Sequence, residues 1–178
     1  MYKLLSFDAG AGKNDPHTVS SLSRARYREI GELSLEEAFE NFGVVGGTAD
    51  LIERYFELFP EMQLYPDVLP TGRYRLAVVS NIDDDLLAAT RLYREFDLVC
   101  TAERAGGYKP DGTLFRYLIA NAGVAVSEIL HSGQSQFTDM VGGKPLSLTV
   151  CWITGTGRAS RKQPDAARAG ITRYSRFH

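Results

Sequence analysis

Residues 74–80 decide the fold class, and they read Tyr-Arg-Leu-Ala-Val-Val-Ser. A short apolar run rich in β-branched residues is typical of a strand that is buried on both faces of a parallel sheet. Helical periodicity follows at residues 84–93 and again at 112–122. Similar apolar runs occupy residues 2–7, 97–101, 129–133 and 148–153. This alternation predicts an α/β fold, with a Rossmann-like parallel sheet of five strands flanked by helices.

The region after the first predicted strand has a different pattern. Residues 34–42 and 49–59 show helical spacing, and Ser34-Leu35-Glu36-Glu37 is typical of a capping box that opens the first helix. We therefore predict a small helical cap inserted after strand 1. The predicted divisions are an α/β core at residues 1–12 and 65–154, a helical cap at 13–64, and a basic, flexible tail at 155–178.

Composition limits the classes of partner. The 178 residues are 44% hydrophobic and 24% charged, which is enough for one substantial core. The formal net charge is -2, so there is no overall basic field for nucleic acid, and we expect no nucleic-acid partner. Because the tail is basic and the rest of the chain is acidic, contacts between the tail of one copy and the body of another would give a homodimer.

The cysteines and the N-terminus bear on the compartment. Cys100 and Cys151 each lie inside an apolar run, where a small buried hydrophobic residue is expected rather than a disulfide scaffold. No apolar stretch approaches the ~20 residues that cross a bilayer. The first residues lack the long apolar core of a signal peptide. The sequence thus predicts a cytoplasmic protein without membrane association.

Polar side chains follow four of the predicted strands. Asp8 follows the first, Ser80-Asn81 ends the second, Lys109 lies in the loop after the third, and Gln134-Ser135 with Asp139 follow the fourth. Ligands of open parallel sheets bind at the carboxyl ends of the strands. A carboxylate, an ammonium and short polar groups suit nucleophilic displacement. Taken singly, each residue also fits a cap, a turn or a solvated side chain.

Four segments give a family resemblance: residues 5–9 (LSFDA), 76–81 (LAVVSN), 107–111 (GYKPD) and 129–139 (ILHSGQSQFTD). In this order they resemble the motifs of the haloacid dehalogenase superfamily of aspartate-nucleophile hydrolases. The resemblance implies an enzyme acting on a small-molecule substrate. It implies Asp8 as the nucleophile, Lys109 as the residue that orients it, and Asp139 close to Lys109. It implies substrate-binding roles for Ser80, Asn81, Gln134 and Ser135.

The first and fourth motifs bear on the branch of the family. The phosphatase branch carries a second Asp where this chain has Gly10, and an acidic magnesium ligand where it has Gln134. Haloacid dehalogenases proper lack both and use no metal. The resemblance therefore implies hydrolytic dehalogenation of a small 2-haloacid through an aspartyl ester, without a cofactor. A cap arginine would receive the halide, and we assign Arg24, although Arg26 and Arg28 lie in the same region.

Two alternatives stay open. One is a Mg²⁺-dependent phosphatase on a small phosphomonoester, in which Asp8 and Asp139 hold the ion. The other is a binding protein that keeps the fold but has lost catalysis. The second alternative comes from the degenerate first motif, where Gly10-Ala11-Gly12 replaces the usual residues and a Thr is missing. It also comes from residues 65–73, which leave no room for the helix that usually precedes the second strand.

Overall fold

The strands form one parallel sheet. The computed structural model describes residues 1–7, 26–61, 74–90, 92 and 96–153, and the backbone of 173–174. Within these residues the strand order is β3-β2-β1-β4-β5-β6, and every pairing is parallel. The strands are β1 (Leu4–Phe7), β2 (Arg75–Ser80), β3 (Leu98–Thr101), β4 (Ile129–Gly133), β5 (Thr149–Ile153) and β6 (Arg173–Tyr174).

The five predicted strands are confirmed, and the tail adds a sixth. Residues 76–80 of β2 are all buried, as expected for a central strand covered on both faces. In the tail, the backbone of β6 pairs with the end of β5, Trp152 with Arg173 and Ile153 with Tyr174, and the flexibility of the tail as a whole stays a prediction. The parallel sheet therefore reaches one strand beyond the prediction.

The strand order creates a crevice at the end of β1. From β1 the chain builds β2 and β3 on one side of the sheet, then returns to build β4 and β5 on the other. Phe7, the last residue of β1, lies between Val78 of β2 and Ser132 of β4. The carboxyl ends of these three strands are neighbours at the point where the strand order reverses, which is where ligands of such sheets bind.

Two helices lie between β1 and β2 in the chain, α1 (Tyr27–Phe42) and α2 (Thr48–Glu57), followed by a 3₁₀ turn at Phe59–Glu61. The predicted start of α1 at Ser34 is wrong. The Glu29 carboxylate accepts a hydrogen bond from the Arg26 N–H (3.0 Å), and Asp83 accepts one from the Tyr27 N–H (3.1 Å). These bonds satisfy N–H groups that an N-terminus leaves without helical partners, so the helix begins there.

The arginine at position 28 joins three helical segments. Its guanidinium lies 4.6 Å from the centre of the Phe56 ring and forms ion pairs with Glu53 of α2 (3.2 Å) and with Asp85 (3.4 Å). The buried aromatic side chains beneath it belong to the same hydrophobic cluster as the sheet residues Ala77 and Val79. The helices of the insert therefore pack directly on the α/β core. The boundaries of a separate cap domain stay a prediction.

The remaining helices connect or follow the later strands. They are α3 (Asp84–Ala89), α4 (Ala102–Ala105), α5 (Thr113–Asn121) and α6 (Val141–Gly143). A π-helical turn (Gln136–Met140) precedes α6, and a 3₁₀ turn (Lys144–Leu146) follows it. Helix α5 confirms the prediction at 112–122 to within one residue at each end.

The predicted helix at 84–93 is too long. Helix α3 ends at Ala89, because Thr90 has an extended backbone and its hydroxyl donates to the Leu87 carbonyl (2.7 Å). A side chain that bonds to the last turn in this way competes with continuation of the helix. Within the described part of the chain, none of the helices combines the length and the apolar character needed to span a bilayer.

Truncation of a core side chain tests this packing. Leu118 of α5 is fully buried in the hydrophobic cluster. We expect Leu118→Ala to lower the free energy of unfolding by about 2–5 kcal/mol, because it removes buried apolar surface and leaves a cavity. The measurement is urea denaturation followed by circular dichroism.

A matched control is Val45→Ala, since Val45 is fully exposed between α1 and α2. The control should stay within about 0.5 kcal/mol of the wild type. Equal stability of both variants would contradict the packing of α5 against the sheet.

Candidate active site

The ammonium group of Lys109 is buried. The side chain is 1% exposed, and its Nζ donates to Oδ1 of Asp139 (2.8 Å) and to the carbonyl oxygen of Val79 (3.1 Å). Val79 belongs to β2, whereas Asp139 follows β4, so the ammonium lies between elements from both sides of β1. The sequence prediction that Lys109 and Asp139 lie together is confirmed by this contact.

The Asp139 carboxylate accepts hydrogen bonds on both oxygens. Oδ1 faces Lys109 and Nε2 of His131 (3.2 Å), and Oδ2 accepts from the N–H of Ser135 (3.1 Å). Burial alone would raise the pKa of this carboxyl group. The hydrogen bond from His131 and the charge of Lys109 outweigh burial and lower the pKa of Asp139 to about 2. The carboxylate is therefore ionised and paired at neutral pH.

Glycine is required at position 133, at the end of β4. A Cβ atom built there would overlap the carboxylate of Asp139. Because the strand end and the carboxylate touch, a side chain at 133 would push Asp139 away from Lys109. Packing against Asp139 therefore explains why the fourth motif has a glycine at position 133.

The two residues that end and follow β2 behave differently. Ser80 is the last residue of β2 and is buried. The side-chain amide of Asn81 exchanges two hydrogen bonds with the backbone of Lys109: Oδ1 accepts from the Lys109 N–H (2.7 Å), and Nδ2 donates to the Lys109 carbonyl (3.1 Å). Asn81 therefore fixes the loop that carries the lysine.

Gln134 and Ser135 lie in the turn between β4 and the π-helical turn. The Gln134 side chain is exposed, and its backbone carbonyl accepts from Nε1 of Trp152 (2.9 Å). The Ser135 hydroxyl accepts from the Thr138 N–H (3.0 Å) and so caps the helical turn that carries Asp139. Their predicted role in substrate binding stays a prediction.

Two predicted site residues, Asp8 and Arg24, lie outside the described residues. Asp8 is the next residue after Phe7, which ends β1. The two other cap arginines considered as halide ligands are paired with carboxylates: Arg26 with Glu103 (3.6 Å), and Arg28 as described above.

Sequence reasoning missed two members of the site, Ser6 and His131. The Ser6 hydroxyl lies 2.8 Å from Nδ1 of His131, and both residues are fully buried. They face each other in the register of β1 and β4. The available signal was a polar residue inside each of two largely apolar strands, because a buried polar side chain requires a hydrogen-bond partner.

The donor set around Asp139 can be tested against Mg²⁺. Mg²⁺ takes octahedral oxygen coordination, usually through one or two carboxylates and several waters. Both Asp139 oxygens already accept hydrogen bonds within a buried site, and Gln134 offers a neutral amide. Within the described ranges there is also no group of three or more His, Cys, Asp or Glu side chains arranged to hold a metal ion. These described donors do not fit Mg²⁺.

Breaking the buried pair should be costly. We expect Lys109→Met to lower the free energy of unfolding by about 3–5 kcal/mol, since it leaves the Asp139 carboxylate buried without its cation. The double variant Lys109→Met/Asp139→Asn should recover part of this loss. Urea denaturation measures both. As a control, Lys3→Met removes the surface pair with Glu128 (2.6 Å) and should leave the stability nearly unchanged. Equal effects at 109 and 3 would contradict the burial of the pair.

The lowered pKa of Asp139 predicts a pH dependence of stability. Its pKa is about 2 in the folded protein, against an ordinary value of 3.8. The stabilisation is therefore complete above about pH 4 and is lost as the pH falls from 4 towards 2. It amounts to roughly 2 kcal/mol. Unfolding free energies measured across this range should fall more steeply for the wild type than for Asp139→Asn. Parallel curves would show that Asp139 is not held ionised.

Comparisons with curated proteins give three relatives, while no family model matches the chain. Haloacid dehalogenase-like hydrolase domain-containing protein 3 of Xenopus laevis is 28% identical over 132 residues, covering 72% of this chain and 46% of that protein. The protein of the same name from Bos taurus is 34% identical over 84 residues, 46% of this chain and 34% of that protein. Pyrimidine 5'-nucleotidase YjjG of Escherichia coli is 28% identical over 99 residues, which cover 53% of this chain and 43% of that protein. The chain spans less than half the length of these relatives.

Solved structures share the fold over most of the chain. A crystal structure of a dehalogenase superposes with a TM-score of 0.72 at 18% identity, covering 97% of this chain and 92% of the other. The L-2-haloacid dehalogenase of Xanthobacter autotrophicus superposes with a TM-score of 0.67 at 19% identity, covering 86% of this chain and 78% of the other. The magnesium-bound hydrolase YfnB of Bacillus subtilis superposes with a TM-score of 0.68 at 18% identity, covering 85% of this chain and 88% of the other. At these identities the likeness shows the fold alone. In sequence the chain is similar to haloacid dehalogenase-like hydrolases, and in fold it is similar to haloacid dehalogenases.

Proposed function

We propose that the protein is a hydrolase with an aspartate nucleophile that removes halide from a small 2-haloacid. The observation that carries this proposal is the buried Lys109–Asp139 ion pair beside the carboxyl end of β1. A cation held at this position can keep a carboxylate nucleophile ionised. The first residue after β1 is Asp8, the nucleophile that the family resemblance implies.

The proposed reaction has two steps. In the first, a carboxylate oxygen of Asp8 attacks the halogen-bearing carbon of the substrate. A carbon–oxygen bond forms, and the carbon–halogen bond breaks with its electron pair leaving as halide. In the second, water attacks the carbonyl carbon of the new ester, which releases the 2-hydroxy acid and a proton and regenerates the Asp8 carboxylate. Halide is a good leaving group, so the first step requires neither a general acid at position 10 nor a metal ion.

Lys109 supplies the electrostatics of this reaction. An ammonium group fixed in a site of low dielectric keeps a nearby carboxylate ionised and stabilises negative charge more strongly than water does. Asp139 pairs with the ammonium, and Asn81 fixes the backbone of the lysine through its N–H and its carbonyl group. Ser80, buried at the end of β2, is the hydroxyl that we assign to the substrate carboxylate.

The dehalogenase branch is favoured over the phosphatase branch by position 134. The phosphatase chemistry of the family uses an acidic magnesium ligand there, whereas this chain has an exposed glutamine. Dehalogenases are prominent among the similar solved structures. Because one curated relative is a nucleotidase from Escherichia coli, phosphate release is the alternative outcome that the test includes.

The test measures halide release from 2-chloropropionate in the presence of EDTA. We expect turnover by the wild type and none above background by Asp8→Asn, since that substitution removes the nucleophile. Lys109→Met should lower kcat by a factor on the order of 100 to 1000, because it removes a preorganised charge at the reacting group. Lys3→Met serves as the matched control and should keep the wild-type rate.

Two results would contradict the proposal. Phosphate release from p-nitrophenyl phosphate that requires Mg²⁺ and is lost in Asp8→Asn would place the protein among the phosphatases. If the folded protein releases neither halide nor phosphate, the alternative of a binding protein that has lost catalysis would be favoured. Circular dichroism on the same samples separates that result from a failure to fold.

A further inference from the structure

A buried polar network runs through the centre of the sheet and consists of Ser6, His131, Asp139 and Lys109. We propose that Ser6 and His131 are positioning residues, which hold the Asp139 carboxylate so that the Lys109 ammonium stays fixed at the carboxyl end of β1. This inference rests on the proposed function, because it assigns residues that support the same site.

The network joins the strands that form the crevice. Ser6 belongs to β1 and His131 to β4, Asp139 lies in the π-helical turn after β4, and Lys109 also bonds to the Val79 carbonyl of β2. Each member is at most 2% exposed. Since water does not reach these groups, their orientation is set by one another. His131 therefore links β1, the strand that precedes Asp8, to Asp139, which holds Lys109.

The hydrogen bonds assign one proton position on His131. The Asp139 carboxylate is ionised and can only accept, so Nε2 of His131 carries the hydrogen that lies between them. The other ring nitrogen, Nδ1, lies 2.8 Å from the Ser6 hydroxyl, which can donate or accept a hydrogen bond. Both nitrogens of the ring are therefore engaged, one with β1 and one with Asp139.

Packing fixes the plane of the imidazole ring. The Phe115 ring meets it edge to face, with centroids 4.9 Å apart and an interplanar angle of 77°. The ring therefore presents Nε2 to Asp139 in one orientation. The remaining oxygen of Asp139 is held by the Ser135 N–H. Removing the His131 donor leaves Oδ1 with Lys109 as its one described partner, so the carboxylate and the ammonium are held less firmly.

The first experiment compares two amide substitutions. In His131→Gln the side-chain amide nitrogen reaches about as far as Nε2 and can still donate to Asp139, whereas in His131→Asn it reaches only as far as Nδ1. For halide release from 2-chloropropionate we expect His131→Asn to lower kcat about 100-fold with KM unchanged, since a misplaced group costs on that order. His131→Gln should restore the rate to within about fivefold of the wild type. Ser6→Ala should lie between these two variants.

The control for these variants is Ser132→Ala. Ser132 neighbours His131 on β4 and points to the opposite face of the sheet, because side chains alternate along a strand. It should keep the wild-type kcat. Equal kcat values in the Asn and Gln variants, at equal fractions of folded protein, would overturn the proposal.

The second experiment reads the network without a substrate. Long-range ¹H–¹⁵N spectra of the imidazole groups should show a hydrogen on Nε2 of His131, and the signal of this residue is identified by its absence in His131→Gln. Ser6→Ala should shift the Nδ1 resonance. A ring that carries its hydrogen at Nδ1 alone would overturn the proposal, because Nε2 could then not donate to Asp139.

The Lys109 ammonium resonance completes this test. A ¹⁵N-detected signal protected from exchange should be present in the wild type and in His131→Gln, and absent in His131→Asn. Retention of this signal in His131→Asn would overturn the proposal. A wild type that gives the expected spectra but releases no halide would refute the proposed function and leave the positioning of Lys109 supported.

Discussion

The burial of one ammonium group constrains the whole carboxyl edge of the sheet. Moving a lysine charge out of water costs several kcal/mol, and the cost is offset only where an anion and further hydrogen bonds meet it with good geometry. Around Lys109 that requirement is met by Asp139 and by the Val79 carbonyl. Asp139 needs donors of its own in turn, which explains the positions of His131 and the Ser135 N–H. Gly133 then has to lack a side chain so that the carboxylate fits.

The helical insert depends on the core through a similar arrangement. Asp83 follows Asn81 by two residues, is 2% exposed, and accepts the hydrogen bond from the Tyr27 N–H at the start of α1. Burial raises the pKa of Asp83, and the Tyr27 N–H partly offsets that effect. The loop after β2 therefore both fixes the lysine, through Asn81, and fixes where the insert begins. The position of the insert and the geometry of the site are set by one short stretch of chain.

The sequence allowed the strands and the charged pair to be predicted, but not the contacts that support them. Apolar runs located β2 and β4 to within a residue, since burial on both faces leaves little choice of residue type. Lys109 and Asp139 followed from strand ends and family motifs. His131 and Ser6 were not assigned, because a polar residue inside a strand does not show which residue it faces until the register is known. The sequence does not reveal the start of α1, because one of the two hydrogen bonds that fix it comes from Asp83, far away in sequence.

The sixth strand has a consequence for association. A sheet that ended at β5 would present the edge of an apolar strand, and such edges pair with other chains and promote aggregation. The pairing of Trp152 and Ile153 with Arg173 and Tyr174 moves the boundary of the sheet onto β6. This outermost strand of the described sheet is only two residues long, Arg173–Tyr174. So short an edge strand offers few unpaired backbone groups to another sheet, and it therefore disfavours edge-to-edge pairing of two copies.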